Sequence, residues 1–488
     1  MNSTADNRPG TALRHSQLLL AGQAFSRAAG APLVAGNSLR LLRDAAENYP
    51  AWLTAIRGAL HTIHFENYII ENDPIGREFI NALTERARAG VKVRLLYDWM
   101  GSFFPASRHL FAPLLAAGGE VRAFNPLSFD TPFGWLTRDH RKSLTVDGHT
   151  GFVTGLCISQ RWTGNPGRGI APWRDTGLEI KGPAVADIVA AFAQTWGACG
   201  SALPPEAIPE AGSITAEGSI TLRVVASTPF TSGLYRMDQL IAAMAKETLW
   251  LTDAYFIGTP TYTQALCAAA QDGVDVRLLV PSASDIPAIS AFSRAGYRSL
   301  LEAGIRVFEW NGPMIHAKTA VADSRWARVG SSNLNVASWI SNYELDVAVE
   351  DEGFADEMEA MYLQDLEQST EVVLGRHRKV KLRERRQRQR PPRPYRGKTA
   401  GVATAMRLGN TVAAAIQQQR VLGAVEAAIM LMLGMSLLAL ATLGLYWPRL
   451  IALPVVMIST WLAIWLLARS WRLRRKRPPA PPTEKKRQ

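Results

Sequence analysis

The sequence predicts a duplicated α/β fold, in which two similar halves each form a mixed, largely parallel sheet with flanking helices. Three observations support this prediction: a short motif occurs twice, the segments around both copies match, and strand-like runs alternate with amphipathic helical runs. One site is expected to lie between the halves. Two long apolar segments near the C-terminus also predict a two-helix transmembrane hairpin.

The repeated motif combines a histidine with a lysine two positions later and an aspartate seven positions later. The two copies are His140, Lys142 and Asp147, and His316, Lys318 and Asp323. Residues two apart on a strand share a face, so each imidazole should project beside an ammonium group. Two such pairs in one pocket suit a phosphodiester, because one imidazole can attack phosphorus while the other protonates the leaving oxygen. Two unrelated strands with incidental histidines are the alternative.

The segments around the two motifs correspond at an offset of roughly 180 residues, which indicates a duplicated unit rather than a short-period repeat. ARAGVKVRLL at 87–96 matches AQDGVDVRLL at 270–279, and each predicts a helix end, a glycine cap and a buried strand. Two further pairs of segments match in the same way: 62–70 with 248–256, and 117–126 with 303–313.

The domain organisation follows from the repeat and from changes in composition along the chain. The predicted segments are an N-terminal helical or flexible extension at 1–34, a first half at 35–215, a second half at 216–372, a basic linker at 373–420, transmembrane helices at 421–446 and 450–468, and a basic tail at 469–488.

The net charge of +12 is concentrated in two C-terminal segments. Residues 376–398 contain twelve Lys and Arg against one acidic residue, and residues 469–488 contain nine against one. The remainder of the chain is therefore mildly acidic, whereas nucleic-acid-binding proteins normally carry their basic surface on the folded module. Nucleic acid is not an expected partner, and the linker is expected to lie on an anionic membrane surface. A generic solvated linker is the alternative.

The apolar segments within the last 70 residues predict how the chain is anchored. About twenty uncharged residues end at Tyr446, and a second uncharged run extends from Leu450 to Ala468. A buried helical hairpin is the alternative, but both runs are apolar on all sides. Because both flanks are basic, the catalytic part should face the cytoplasm from the inner membrane. No signal peptide is expected at the N-terminus.

The chain resembles the phospholipase D superfamily over roughly residues 35–370, and within it the bacterial cardiolipin synthases. Beyond the twin motifs, the resemblance is carried by GSSN at 330–333, by SNYELDVAVED at 341–351 and by PWRDTGLEIKGPAV at 172–185. It implies a phospholipase D-like unit in each half. It also implies a membrane-bound phosphatidyltransferase that makes cardiolipin from two phosphatidylglycerols through a phosphohistidine and releases glycerol. C-terminal membrane helices and TGLC at 154–157, in place of GGLN, are departures from the family.

The resemblance also implies roles for individual residues. It favours His140 as nucleophile and His316 as general acid and base, although the near-symmetry leaves their order open. Asp175 and Glu344 would each orient an imidazole. The candidates for binding the phosphate are Lys142, Lys318, Gly155, Ser331 and Asn333. Asp147 and Asp323 are counted with the catalytic motifs, but a structural role is favoured for both. Neither a metal nor a cofactor is expected.

Three other functions stay open from the sequence. A phospholipase D-type hydrolase or transphosphatidylase would act on other phospholipids, a phosphodiesterase would act on nucleic acid, and a membrane scaffold would keep a relic site. The survival of histidine, lysine and aspartate in both halves argues against the scaffold. The acceptor alcohol, the acyl preference and the oligomeric state are not predicted.

Overall fold

A computed structural model describes residues 23–102, 108–128, 134–210, 212–374 and 380–382, together with individual positions between 435 and 467. A helix covers residues 23–29 (α1). The other α-helices are Asp44–Gly58 (α2), Pro74–Arg88 (α3), Arg108–Ala116 (α4), Gln160–Thr163 (α5), Val185–Ala198 (α6), Gly233–Met244 (α7), Pro260–Gln271 (α8), Pro287–Glu302 (α9) and Glu352–Glu367 (α10).

Sixteen strands are found within the described residues. They are Val34–Arg43 (β1), Thr62–Asn67 (β2), Lys92–Asp98 (β3), Glu120–Phe124 (β4), Ser143–Val146 (β5), Thr150–Thr154 (β6), Thr176–Lys181 (β7), Ile220–Ser227 (β8), Thr248–Thr252 (β9), Asp275–Pro281 (β10), Arg306–Trp310 (β11), Thr319–Ala322 (β12), Trp326–Gly330 (β13), Glu344–Glu350 (β14), Ser369–Leu374 (β15) and Val380–Leu382 (β16).

The duplication is visible in the order of these strands. The first half has the order β4-β3-β2-β5-β6-β7, and the second has β11-β10-β9-β12-β13-β14. β1 pairs with β7 on one side and β8 on the other, so the strands form one hydrogen-bonded succession. The prediction of largely parallel sheets is wrong: within the described residues, parallel pairing is confined to β2-β3-β4 and β9-β10-β11. Helices connect the successive strands of these two parallel sets, whereas short turns connect β5 with β6 and β12 with β13, which pair antiparallel.

Local sequence explains why corresponding helices begin where they do. Helix α3 starts with Pro74 after Asp73, whose carboxylate accepts a hydrogen bond from the Gly76 amide at 2.8 Å. Helix α8 starts with Pro260 after Thr259, whose hydroxyl also caps the first turn. A polar cap followed by proline is a favoured helix start, because the side chain satisfies a free amide and proline presets the backbone.

Three large apolar clusters, and a small one around Phe192 and Trp196, form the core of the catalytic part. One lies in the first half around Trp52 and Phe79, and another lies in the second half around Met237 and Leu278. The third joins strands and helices of both halves. The halves therefore share buried apolar surface within one compact unit. The domain boundaries near 34 and 215 stay predictions.

The segments predicted at the C-terminus lie mostly outside the described residues: the basic linker at 373–420, the hairpin at 421–446 and 450–468, and the tail at 469–488. The positions that are described individually between 435 and 467 are helical. Across the described part of the chain, no helix has both the length and the apolar character that a membrane span requires.

Candidate active site

The two histidines lie at equivalent places in the two halves. His140 precedes β5 and His316 precedes β12, so both stand beside the carboxyl ends of the parallel strands. The backbone of each motif pairs with the other half of the chain: the His140 amide donates to Tyr343 at 2.9 Å, and the His316 amide donates to Arg174 at 2.6 Å. The halves are therefore joined at the site itself.

Each imidazole is held by a carboxylate from the opposite half. Nδ1 of His140 lies 2.9 Å from a Glu344 carboxylate oxygen, and Nδ1 of His316 lies 2.7 Å from one of Asp175. All four side chains are buried. A carboxylate that accepts the Nδ1 proton fixes the tautomer, leaves the lone pair on Nε2 and stabilises the imidazolium when it forms.

Two buried lysines complete a cationic pocket. Lys142 donates to the backbone carbonyl of His140, and its ammonium lies 5.1 Å from the centre of the Tyr68 ring. Lys318 donates to the carbonyl of His316 and lies 3.1 Å from Nε2 of that imidazole. Lys142 is 0% exposed and Lys318 is 1% exposed. Solvent therefore screens the attraction between these ammonium groups and a bound anion only weakly.

The electrostatics of the pocket differ from those of isolated side chains. Burial, and then the nearby Lys318 ammonium, lower the pKa of His316 to about 4, although Asp175 opposes this shift. Lys142 from the first half adds to the lowering, which indicates that the two motifs share one electrostatic environment. Burial lowers the pKa of Lys318 to about 8 and raises the pKa of Glu344. His316 is therefore neutral in the resting site.

The motif aspartates are at the other end of their strands. The Asp147 carboxylate accepts hydrogen bonds from three successive amides, those of Leu60, His61 and Thr62, at 2.7–2.8 Å. Asp323 accepts equivalent bonds from Lys246, Glu247 and Thr248. Because β5 and β12 separate these carboxylates from the imidazoles, grouping them with the catalytic residues is not supported by the geometry. They cap the starts of β2 and β9.

Two of the five residues predicted to bind phosphate, Gly155 and Ser331, are placed against the carboxylates instead. The Gly155 amide donates to Thr176 at 3.1 Å, and a Cβ on Gly155 would lie 2.2 Å from an Asp175 carboxylate oxygen. The Ser331 hydroxyl donates to Glu344 at 2.6 Å and accepts from the Leu345 amide. These contacts occupy the groups that were predicted to bind phosphate.

The role of Asn333 as a phosphate ligand stays a prediction, because only its Nδ2 amide could donate a hydrogen bond to a phosphate oxygen. Its backbone amide donates to the Ser338 hydroxyl, whereas its buried Oδ1 has no hydrogen-bond partner among the described residues. The first half has Cys157 at the corresponding place, and this thiol is buried in the apolar cluster, where burial raises its pKa. The Thr154 hydroxyl donates to the Thr176 carbonyl. The two halves therefore differ in the side chains that follow β6 and β13.

Sequence reasoning missed the aromatic residues of the site. The Trp162 indole donates to Asp175 at 2.8 Å, and its ring lies edge-on to His316 at 5.3 Å. Trp173 contacts the same imidazole at 5.8 Å, while Tyr68 and Tyr255 flank His140 and His316, respectively. Trp162 lies in a four-residue helix with no motif around it. The only available signal for the tyrosines was their place after matching strands.

No group of three or more His, Cys, Asp or Glu side chains forms a metal centre in the described part of the chain.

The chain is similar to known proteins over its catalytic part. A family model described as "Cardiolipin synthase, PLD-like domain" matches residues 52–196 and 239–366. Cardiolipin synthase A of Pseudomonas aeruginosa is 35% identical, with 74% of this chain and 73% of that protein covered. Cardiolipin synthase of Alkalihalophilus pseudofirmus is 32% identical, with 70% and 68% covered.

A solved structure shows the same fold at lower sequence similarity. Phosphatidylserine synthase of Haemophilus influenzae superposes with a TM-score of 0.56 at 14% identity, covering 74% of this chain and 91% of that one. The duplicated strand order, the crossed imidazole–carboxylate pairs and the family match agree with one another. This chain therefore belongs to the phospholipase D-like family of cardiolipin synthases.

Proposed function

We propose that this chain is a membrane-associated phosphatidyltransferase, which joins two phosphatidylglycerol molecules into cardiolipin and releases glycerol. The observation that carries the proposal is the pair of imidazoles, each bonded to a carboxylate of the opposite half, beside two buried ammonium groups. Such a pocket supplies a nucleophile, an acid and fixed positive charge for a phosphodiester. The 35% identity to a cardiolipin synthase supports the choice of substrate.

In the first half-reaction, Nε2 of His140 attacks the phosphorus of one phosphatidylglycerol. Glu344 accepts the Nδ1 proton in a hydrogen bond and stabilises the charge that develops on the ring. The bond from phosphorus to the terminal glycerol oxygen breaks, and His316 donates a proton to that oxygen. Glycerol leaves, and the phosphatidyl group stays on His140.

In the second half-reaction, His316 removes the proton from a glycerol hydroxyl of a second phosphatidylglycerol. The resulting oxygen attacks phosphorus while the bond to His140 breaks. Cardiolipin leaves, His140 is neutral again, and His316 is again the imidazolium that began the first half-reaction; it releases this proton to water once the site is empty. Lys142, Lys318 and Asn333 hold the non-bridging oxygens through both steps, where negative charge increases.

Substrate binding must raise the pKa of His316 before this residue can act as the acid. A neutral imidazole cannot protonate the leaving oxygen, and the pKa of about 4 keeps His316 neutral at physiological pH. A bound phosphodiester brings a negative charge between Lys142 and Lys318 and offsets their repulsion of the imidazolium. The pKa of His316 therefore rises when substrate binds, and its Nε2 takes up a proton from water before the first half-reaction.

The C-terminal segment supports attachment to the membrane. Several individually described positions there are helical and carry exposed apolar side chains, among them Met435, Leu438, Leu453 and Met457 at 60–70% exposure. Exposed apolar side chains of this density are typical of contact with lipid or another protein. The proposed arrangement is an inner-membrane hairpin with basic flanks on the anionic cytoplasmic surface.

The proposal is tested with the purified full-length chain and phosphatidylglycerol in mixed micelles. The expected products are cardiolipin and an equal amount of free glycerol. His140→Ala and His316→Ala should each abolish turnover, because either change interrupts a cycle that needs both imidazoles. Phosphatidic acid as the sole lipid product would identify a hydrolase instead. Near-normal turnover by either variant would contradict the two-histidine mechanism.

A further inference from the structure

We propose that three exposed apolar residues beside the site, Leu136, Phe230 and Ile340, insert into the acyl-chain boundary of the bilayer and seat the site opening on the membrane. This inference rests on the proposed function, because it takes a phospholipid bilayer as the partner. The exposed fractions of Leu136, Phe230 and Ile340 are 44%, 85% and 36%.

The backbone places these three residues around the His140–Glu344 pair. The Phe230 amide donates to the Ile340 carbonyl at 2.9 Å, so the two side chains belong to adjoining loops. Ile340 precedes Glu344 by four residues, which span at most about 14 Å of chain. Leu136 lies two residues before Arg138, whose carbonyl accepts the Tyr343 amide at 2.8 Å, next to Glu344 in the chain.

The turn that carries Ile340 is also part of the site. Residues Ala337–Ser341 form a π-helix, an uncommon conformation that often marks functional places. Within it, the Ser338 hydroxyl accepts the Asn333 amide, and the following Asn342 donates to Glu344 at 3.1 Å. The buried Trp339 ring anchors the turn against Tyr235 at 4.7 Å. The turn therefore fixes polar groups on the site and directs Ile340 to the surface.

Phe230 has a conformation that needs an explanation. Its φ is +68°, in the left-handed region that bulky residues rarely adopt, and its ring is the most exposed of the large apolar side chains in the described residues. Neither feature contributes to the core. A strained, exposed aromatic residue at the edge of a site is explained if the ring has a partner outside the chain.

The chemistry of the substrate identifies that partner as a bilayer. A phospholipid headgroup must reach the buried Lys142 and Lys318 while its acyl chains stay in an apolar medium, so the opening has to touch the membrane. A second protein is a poorer match, because three side chains fall far short of the roughly 1,200 Å² that a stable protein interface buries. Contact with lipid needs no such area where a separate anchor already holds the chain at the surface.

The first test compares turnover on lipid in two physical states. In full-length protein carrying Leu136→Ser, Phe230→Ser and Ile340→Thr together, turnover on phosphatidylglycerol vesicles should fall at least about tenfold. Turnover on dispersed short-chain phosphatidylglycerol should stay within about twofold of the unchanged protein, since no bilayer has to be entered. The matched control is Leu60→Ser with Met244→Ser, at exposed positions before β2 and β9, and it should alter neither activity. Equal loss on both substrates, or no loss on vesicles, would overturn the proposal.

The second test does not depend on turnover. A nitroxide is attached at Phe230→Cys in full-length protein with Cys199→Ser and Cys267→Ser, reconstituted into phosphatidylglycerol bilayers, and its access to oxygen and to a water-soluble nickel complex is measured. The label should be reached by oxygen and shielded from nickel, while a label at Leu60→Cys should be open to nickel. Shielding without turnover on any lipid would refute the proposed function and keep the membrane contact. Turnover with an unshielded Phe230 label would refute the contact alone.

Discussion

The carboxylates of Asp175 and Glu344 are supported differently, although their roles are equivalent. Ser331 and Asn342 donate to Glu344, whereas Trp162 donates to Asp175. Where the second half has Ser331, the first has Gly155, because a Cβ there would meet Asp175. The two halves thus reach the same chemistry with different donors. A donor that acts through a carboxylate is a positioning residue, and Trp162 provides a clear test of this.

Replacing Trp162 with phenylalanine should lower kcat while leaving KM nearly unchanged. The variant loses the 2.8 Å bond to Asp175 but keeps an aromatic ring against His316. A hydrogen bond to a charged group contributes about 1.5–3 kcal/mol, so a decrease of roughly 10- to 100-fold in kcat is expected. The pH profile should move to higher pH, because an Asp175 carboxylate without this donor stabilises the imidazolium more strongly.

The control for this change is Trp173→Phe. Its ring also contacts His316, but its indole makes no hydrogen bond to Asp175 in the described structure. This variant should keep the pH profile of the unchanged protein. A similar loss and shift in both variants would show that ring packing, rather than the bond to Asp175, is responsible.

Replacing Lys318 with methionine should raise the pKa of His316 from about 4 toward its ordinary value near 6.5. The substitution removes the ammonium that, after burial, contributes most to the lowering. Between roughly pH 4.5 and 6, the His316 imidazole should be mostly neutral in the unchanged protein and substantially protonated in the variant. Exchange of the imidazole C2 hydrogen with deuterium, followed by mass spectrometry across pH, measures this pKa directly. The exposed Lys246→Met is the control, and an unchanged His316 titration would contradict the assignment.

At the scale of single elements, the ends of β5 and β12 show how the repeat was built for stability. Both Asp147 and Asp323 have positive φ and turn the chain so that one carboxylate meets three amides. The same aspartate spacing therefore reflects strand architecture, while histidine and lysine spacing reflects chemistry. One motif combines two physical roles, and its sequence alone does not separate them.

Asp147→Ala should destabilise the protein and leave its chemistry intact. Three hydrogen bonds to a carboxylate are lost, and about 2–3 kcal/mol of folding free energy is expected to be lost with them. The thermal midpoint, measured by calorimetry, should fall by several degrees, roughly in line with the size of the folded unit. Turnover per folded molecule should stay within about threefold at a temperature where the variant is folded. A loss of more than a hundredfold in turnover without loss of stability would restore a catalytic role.

The sheet is where element-level prediction was least successful. Matching segments predicted β2, β3 and β4 with their counterparts β9, β10 and β11, because buried apolar strands alternate there with amphipathic helices. The antiparallel strands β5 to β7 and β12 to β14 are short and buried on both faces, so their runs lack the alternation that indicates antiparallel pairing. Whether these strands run parallel or antiparallel to their neighbours depends on pairing between segments that are distant in sequence.

At the scale of the whole molecule, the C-terminal segment and the catalytic part are expected to separate cleanly. Because β15 continues to Leu374 and β16 ends at Leu382, a stop codon after Leu382 keeps every strand described here. The shortened protein should fold and remain in the supernatant when membranes are pelleted, whereas the full chain should pellet. Its circular dichroism spectrum and melting transition check folding. A shortened protein that still pellets would show that the main anchor lies in the catalytic part.

The site was predictable to the extent that its residues carry a pattern. Two copies of one spacing identified the imidazoles and lysines, and Asp175 and Glu344 followed from the family resemblance. The exchange of these carboxylates between halves was not predicted, because each lies at the start of a strand, β7 or β14, whose neighbours are set by the fold. Gly155 and Ser331 were assigned to phosphate because the sequence does not show that they bond to Thr176 and to Glu344.

The exchange of carboxylates makes each copy of the repeat incomplete by itself. The arrangement is the one that two identical chains would form across a twofold axis, with each lending an acid to its partner's imidazole. Fusion into one polypeptide keeps the partners together at any dilution and frees them from having to stay identical. That freedom is already visible at Cys157 and Asn333, where one copy packs a thiol into the apolar core and the other places a buried amide.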